Sequence, residues 1–332
     1  MKLIDNYNRV HSYLRISLTD RCNLNCIYCN PADMYQKGLH KKDILSYEEI
    51  LRTIHFFAGK FEFKKFRFTG GEPLSRRHVF DFFDEVKKIK DKFGLKIGLT
   101  TNGTLLCGKA TRLKNSGIDN LNISLDSLQA ENFHHISGKK DLQSVLSAID
   151  EAEESGFNPV KINMVVLKNM NSQEILDFVD FVKDRNLNVR FIEFMPFGNN
   201  NWEADAFISF MEMKEIVESK YELQPLYSVS NEVAKDFQLI NHTGKVSFIT
   251  SISDHFCGNC NRLRVSADGR IRTCLFSTGK ENVDFKELLR NNYSENEIAE
   301  RVQKSMKLKW EKHPDPEVLA EMEKNNMLTI GG

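Results

Sequence analysis

The sequence predicts an α/β protein: a partial (βα)6 TIM-type barrel over residues 1–220, then a C-terminal α+β domain over 221–332 containing antiparallel hairpins. Three observations carry this. Short β-rich apolar runs alternate with amphipathic helical runs as far as about residue 220, the βαβ pattern of a parallel sheet. After Tyr221 the alternation stops, and two turn signals, INHTGKV and VSADGRI, each divide a pair of strand-like runs. Finally, 332 residues with 41% hydrophobic, 28% charged, 18 Gly and 7 Pro suit a packed core and exclude disordered or collagen-like classes.

The runs at 14–18, 65–69, 95–100, 121–125, 160–166 and 189–194 read as strands. The first helix begins at Ser46, which forms a capping-box pair with Glu49, and then carries Ile50, Ile54 and Phe57 on one face. A second spans about 76–93, with Val79, Phe83, Val86 and Phe93 aligned; later helices cover about 141–155, 172–186 and 207–220. These apolar stripes read as core packing. Right-handed crossovers between six parallel strands would curl the sheet into a partial barrel. Beyond the hairpins, helices near 284–290, 295–304 and 317–324 lead to a tail ending in Gly331-Gly332.

Lys plus Arg and Asp plus Glu are equal at 46 each, so the chain has no net charge to draw it onto nucleic acid or an anionic membrane. An anionic ligand would have to meet a local basic pocket. No apolar run approaches the ~20 residues that span a bilayer. The start, MKLIDNYNRV, lacks the apolar stretch of a secretory signal, so a cytoplasmic location is expected.

In that compartment thiols stay reduced, which disfavours disulfides among the seven cysteines. Six fall into two trios, Cys22, Cys26, Cys29 and Cys257, Cys260, Cys274. A C-x3-C-x2-C triplet arises by chance in only about 0.3% of chains of this composition, so metal ligation is the better reading. Three thiolates without a fourth suit a [4Fe-4S] cluster that keeps one iron open, whereas structural zinc wants four ligands. His255 could complete a Cys3His zinc site in the second group, and ligand count leaves that alternative open. Cys107, in TLLCGKA, has no partner and reads as an inert thiol.

Reactive groups of parallel α/β folds lie at the carboxyl ends of the strands. There the sequence places SLTDRCNLNCIYCNP, TGGEP, TTNG, SLD and IEFMP, bringing Gly70, Gly71, Glu72, Thr100, Thr101, Asn102, Ser124, Asp126 and Met195 to one face. The glycines would let backbone approach a ligand, and Glu72 would offer a carboxylate to an amine. Singly these are weak signals, since GGEP is also a plain turn and SLD an ordinary helix cap. Arg262 and Arg264, at alternate positions of a strand beside the second trio, share one face.

The first trio, with Tyr28 between its last two cysteines and GGEP downstream, resembles the radical S-adenosylmethionine superfamily. FCGNCNRLR with Cys274, together with RISLTDRCN, FRFTGGEPL, RFIEFMP and the terminal Gly-Gly, narrows the resemblance to the GTP 3′,8-cyclase family over essentially the whole chain. It implies a lyase of the first step of molybdopterin (molybdenum cofactor) biosynthesis. A 5′-deoxyadenosyl radical would take hydrogen from C3′ of GTP, and the C3′ radical would add to guanine C8, giving (8S)-3′,8-cyclo-7,8-dihydro-GTP. It implies two [4Fe-4S] clusters, one on Cys22, Cys26 and Cys29 and one on Cys257, Cys260 and Cys274. Tyr28, Gly71, Ser124 and Met195 match positions around S-adenosylmethionine. Arg15, Arg67, Thr100, Lys161, Arg190, Arg262, Leu263 and Arg264 match positions around GTP. The implied partners are an electron donor such as flavodoxin or ferredoxin and a downstream cyclic pyranopterin monophosphate synthase, with no nucleic acid and no membrane, for a monomer or homodimer. The Gly-Gly tail would reach the active site. Two alternatives are a peptide maturase with an auxiliary cluster and a non-catalytic zinc-dependent binding module.

Overall fold

An antiparallel ribbon of β1 (Leu3–Ile4) and β2 (Val10–His11) opens the chain. Six strands follow: β3 (Tyr13–Ser17), β4 (Lys65–Thr69), β5 (Lys96–Thr101), β6 (Asn120–Ser124), β7 (Val160–Val166) and β8 (Leu187–Glu193). They pair in sequence order with every neighbour parallel. Each lies within two residues of its expected run. The computed structural model describes residues 1–29, 38–197, 200, 202–226, 233–277, 279, 283–322 and 327–331.

Helices fill the crossovers. Ser46 caps the helix Tyr47–Lys60 as expected: its hydroxyl accepts from the Glu49 N–H at 3.2 Å, and Glu49 accepts from the Ser46 N–H at 2.7 Å. Its face buries Ile50, Ile54 and Phe57. The next helix, Val79–Phe93, starts later than expected because Pro73–Ser75 closes a 3-10 turn and Arg76 is extended. It ends at Gly94, which adopts the left-handed φ of 62° that glycine tolerates at a helix end. The helix Leu142–Glu154 matches its expected span, whereas the one at 172–186 is reduced to Ile175–Val182 behind a 3-10 turn. Two short helices, Ala110–Asn115 and Ala130–Ser137, were not expected. The last expected helix forms over Pro316–Glu321, its end at 323–324 lying outside the described residues.

The C-terminal segment contributes β9 (Leu223–Leu226), β10 (Ala234–Leu239), β11 (Lys245–Ile249), β12 (Arg262–Val265), β13 (Arg270–Arg272) and β14 (Val283–Asp284). Both expected hairpins form, β10 with β11 and β12 with β13. They dock at opposite edges of the six-stranded sheet: β11 pairs parallel with β8, and β12 pairs parallel with β3. The result is one mixed sheet of twelve strands in the order β14-β13-β12-β3-β4-β5-β6-β7-β8-β11-β10-β9, which runs across the 220/221 boundary expected from the sequence. An open parallel sheet leaves two rows of unpaired N–H and C=O groups, and the hairpins cover them. A large apolar core extends from Leu3 to Met306, and a small second cluster joins Phe197, Phe276, Leu319 and Ile330. Among the described residues no helix is long and apolar enough to cross a membrane.

Candidate active site

The docking of β12 beside β3 aligns charges that sequence separates widely. Arg264 pairs in register with Arg15 on β3, Arg15 with Arg67 on β4, and Arg67 with Gly98 on β5. Three arginines thus stand side by side on adjacent strands, only about 4.8 Å apart. Like charges directly opposite one another are destabilising unless an anion sits among them. All three line one cavity of about 230 Å³, together with Lys65, Lys161, Arg190 and Arg262. Among the described residues, Asp236 is the one acidic residue on its wall. Burial, then the neighbouring guanidinium of Arg264, holds Arg15 well below its ordinary range. Arg190 and Arg264 are brought down to about 10 by burial first and other arginines next. Among the described residues, Nε of Arg190 and Arg262 and Oδ1 of Asn122 and Asn163 are buried without a hydrogen-bond partner. Such atoms suit a polar, anionic ligand.

Arg67 is the most firmly held member of the row. Its Nε donates to the Tyr13 hydroxyl at 2.9 Å, and its Nη1 donates to the Leu99 carbonyl at 2.8 Å and to the Thr100 hydroxyl at 3.4 Å. Gly98 makes room for the guanidinium: a Cβ there would lie 2.6 Å from Nη2. Tyr13 sits among the cations, with Lys65 Nζ 4.9 Å and Arg262 Cζ 5.5 Å from its ring. Burial alone would raise its phenol, but Arg67, Arg15, Arg262 and Lys65 outweigh it and bring the group down to about 7.

Cys257, Cys260 and Cys274 share a wall of the same cavity. A 3-10 turn, Cys257–Asn259, joins the first two, the Cys260 N–H donating to the Cys257 carbonyl at 3.1 Å. Cys274 follows β13 and packs with Met195 and Leu275 against Phe276 and Ile330. Among the described residues no group of three or more His, Cys, Asp or Glu side chains is placed to hold a single metal ion. A four-iron cluster holds its cysteines further apart than a single zinc ion does. His255 instead meets the His313 ring edge-on, centroids 5.2 Å apart. The tail comes to the end of the arginine row: the Gly331 carbonyl accepts from Arg264 Nη1 at 2.8 Å. A Cβ on Gly331 would lie 2.4 Å from Thr69 Oγ1 and 3.2 Å from the Gly70 nitrogen. Gly332 lies outside the described residues.

The first trio occupies the loop after β3. Cys29 N–H donates to the Cys26 carbonyl at 2.9 Å, while Cys22 Sγ accepts from the Leu24 N–H at 3.4 Å and from Asn102 Nδ2 at 3.7 Å. Donors of this kind are those that tune cluster thiolates. Burial raises all three thiols, Cys29 to about 12. The GGEP loop lies directly on this one: Gly71 N–H donates to the Thr19 carbonyl at 2.7 Å and Glu72 N–H to the Arg21 carbonyl at 2.8 Å. A Cβ on Gly71 would come within 2.3 Å of the Arg21 oxygen, so the neighbouring loop by itself requires a glycine here. Glu72 is wholly buried and accepts from the N–H of Leu74 and Asn102, both at 2.8 Å, and from the Thr101 hydroxyl at 2.9 Å. Burial raises its carboxyl to about 7. Tyr28 donates its hydroxyl to Asp126 at 2.6 Å, and Ser124 ends β6 beside them.

Of the expected nucleotide residues, six cations line the cavity and two residues do not. Thr100 reaches it only through Arg67. Leu263 turns its side chain into the apolar core, on the strand face opposite Arg262 and Arg264, so only its main chain could face a nucleotide. Strand alternation requires this. Met195 lines the cavity, whereas Tyr28, Gly71 and Ser124 do not. Tyr13, Lys65, Asn122 and Asn163 were missed. The same period of two could have found three of them, since Tyr13 alternates with Arg15, Lys65 with Arg67 and Asn163 with Lys161.

Two family models match the chain, Radical SAM superfamily over residues 16–182 and Molybdenum Cofactor Synthesis C over 187–314. A protein of Thermodesulfovibrio yellowstonii named GTP 3′,8-cyclase is 42% identical over 99% of both chains. The Arabidopsis thaliana protein named GTP 3′,8-cyclase, mitochondrial, is 40% identical over 99% of this chain and 83% of its own. The chain spans about half the length of curated relatives named Molybdenum cofactor biosynthesis protein 1, such as that of Dictyostelium discoideum. Among solved structures, Streptococcus suis SuiB bound to S-adenosylmethionine is similar in fold, with a TM-score of 0.58 at 14% identity over 88% of this chain and 69% of that one.

Proposed function

Since the chain belongs to the GTP 3′,8-cyclase family of radical S-adenosylmethionine proteins, we propose that it is a lyase converting GTP to 3′,8-cyclo-7,8-dihydro-GTP in the first step of molybdenum cofactor formation. The observation that carries this is the row Arg264, Arg15, Arg67, aligned across three parallel strands on the wall that also bears Cys257, Cys260 and Cys274. A triphosphate is the kind of anion that satisfies several guanidinium groups at once.

The residues present fit the family's cofactors: one trio of half-buried thiols with N–H donors to the Cys22 sulfur, a glycine loop packed against the loop of that trio, and a second trio on the cavity wall. When bound, the first cluster with S-adenosylmethionine supplies one-electron, hydrogen-abstracting chemistry and the second supplies an open iron for the guanine. Cys22, Cys26 and Cys29 hold the first cluster; Cys257, Cys260 and Cys274 hold the second. Tyr28, Gly71, Ser124 and Met195 contact S-adenosylmethionine, Met195 from the GTP cavity itself. Arg15, Arg67, Lys161, Arg190, Arg262 and Arg264 hold the triphosphate and ribose, Arg67 aimed by Tyr13, Thr100 and the Leu99 carbonyl. Gly331 closes the site between Arg264 and the Thr69-Gly70 turn and helps to exclude water.

In this reading residues 1–220 form a partial barrel that works on S-adenosylmethionine, and 221–332 add the second cluster and GTP binding. An electron donor such as flavodoxin or ferredoxin feeds the first cluster, and a cyclic pyranopterin monophosphate synthase consumes the product; the enzyme works in the cytoplasm. The test is anaerobic incubation of reconstituted protein with reductant, S-adenosylmethionine and GTP. The expected result is cyclised nucleotide together with 5′-deoxyadenosine whose formation depends on GTP. Formation of 5′-deoxyadenosine regardless of GTP, without cyclised nucleotide, would reject the substrate.

A further inference from the structure

Behind the second cysteine trio, two buried cations grip the main chain that carries it. Arg9 is 8% exposed and uses its whole guanidinium. Nη1 donates to the carbonyls of Cys257 and Glu311, each at 2.7 Å, Nη2 to that of Trp310 at 2.6 Å, and Nε to Asp5 Oδ2 at 2.6 Å. Asp5 is itself fixed, accepting from His11 Nε2 at 3.1 Å and from the N–H groups of Tyr7 and Arg9. On the far side, Lys309 is 5% exposed; its Nζ donates to the Thr273 carbonyl and lies 3.5 Å from the Arg262 carbonyl. Every cysteine therefore has a clamped carbonyl on itself or within two residues along the chain: Cys257 directly, Cys260 through Arg262 and Cys274 through Thr273. The carbonyls of Trp310 and Glu311 directly follow Lys309, so the two clamps are joined through one strap.

The two cations differ in charge balance. Arg9 is neutralised by Asp5, whereas the hydrogen bonds of Lys309 go to carbonyl oxygens. A buried ammonium among carbonyl groups alone is costly, and an anion close by offsets that cost. We propose that Arg9 and Lys309 are positioning residues of the second cysteine site. Arg9 fixes the Cys257 turn to the strap, and Lys309 fixes the other two cysteines while supplying the buried positive charge that retains an anionic iron-sulfur cluster. This rests on the reading that Cys257, Cys260 and Cys274 hold such a cluster.

The test uses the full chain with Cys22→Ser, Cys26→Ser and Cys29→Ser, reconstituted anaerobically so that only the second site takes iron. Lys309→Met keeps the apolar stem and removes the charge, Lys309→Arg keeps the charge, and Arg9→Gln breaks the Cys257 clamp. Iron loss to a chelator should be roughly 10–100-fold faster in Lys309→Met and Arg9→Gln than in the parent, the usual range when outer ligand contacts are lost. Lys309→Arg should recover part of the retention, and the paramagnetic spectrum of the reduced cluster should change in Lys309→Met. Thermal unfolding of the iron-free chains separates a folding defect from these effects. Parent-like iron release and spectra in both loss variants would overturn the proposal, as would lowered stability of the iron-free chain with unchanged iron release. A parent that takes up no iron and sulfide would instead reject the cluster reading beneath it.

Discussion

Replacing Gly98 by alanine tests whether the arginine row is built to receive GTP. The added Cβ would lie 2.6 Å from Arg67 Nη2 and 2.7 Å from Cζ, too close for either atom to stay. A guanidinium tip usually swings aside at little cost, but this one is 6% exposed and tied to the Tyr13 hydroxyl at 2.9 Å and the Leu99 carbonyl at 2.8 Å. Making room breaks at least one hydrogen bond to a charged donor, worth about 1.5–3 kcal/mol. It also moves Arg67 out of register with Arg15 and Arg264. At about 1.4 kcal/mol per factor of ten, GTP affinity should fall roughly 10–100-fold. Equilibrium binding of GTP and of S-adenosylmethionine to the reconstituted variant, with thermal unfolding as a control, reads this directly. GTP binding should weaken far more than that of S-adenosylmethionine, because Tyr28, Gly71 and Ser124 stand outside the cavity and only Met195 of that set lines it. A folded Gly98→Ala protein that binds GTP as well as its parent would refute the reasoning.

Two further outcomes follow from the same geometry. With its phenol at about 7, Tyr13 is neutral below that pH and anionic above it, where it cancels one positive charge of the cavity. GTP affinity should therefore fall between about pH 6 and about pH 8 relative to Tyr13→Phe, whose profile lacks that component; superimposable profiles would remove Tyr13 from the account. Iron analysis should give about eight irons per chain and about four when either trio is changed to serine. Gly71→Ala should approach the lower figure, since its Cβ would meet the Arg21 carbonyl at 2.3 Å and displace the loop of the first trio. Zinc in place of iron and sulfide would contradict the cluster assignment.

Elements governed by local rules were legible in the sequence. The capping box at Ser46 and Glu49, the six strands and both hairpin turns depend on residues close together in the chain. What stayed hidden depends on contacts across more than 240 residues. Nothing near Arg262 announces that β12 will lie beside β3 and align Arg264 with Arg15. Nothing near Arg9 announces that its guanidinium will reach the Cys257 carbonyl. The glycines of GGEP are points of close approach, as the sequence suggests, and the packing of the first trio's loop against them was not legible there. The direction of the Leu263 side chain was legible too, since alternation along the strand turns it away from Arg262 and Arg264 and into the core.

In the proposed reaction this cavity brings the ribose of GTP to hydrogen-abstracting chemistry at the strand ends. The most direct measurement uses GTP deuterated at C3′ with reconstituted protein, reductant and S-adenosylmethionine. Deuterium should appear in the 5′-deoxyadenosine, with a 3′,8-cyclised nucleotide formed in step with it. Unlabelled 5′-deoxyadenosine, with the C3′ deuterium still in recovered GTP, would contradict it.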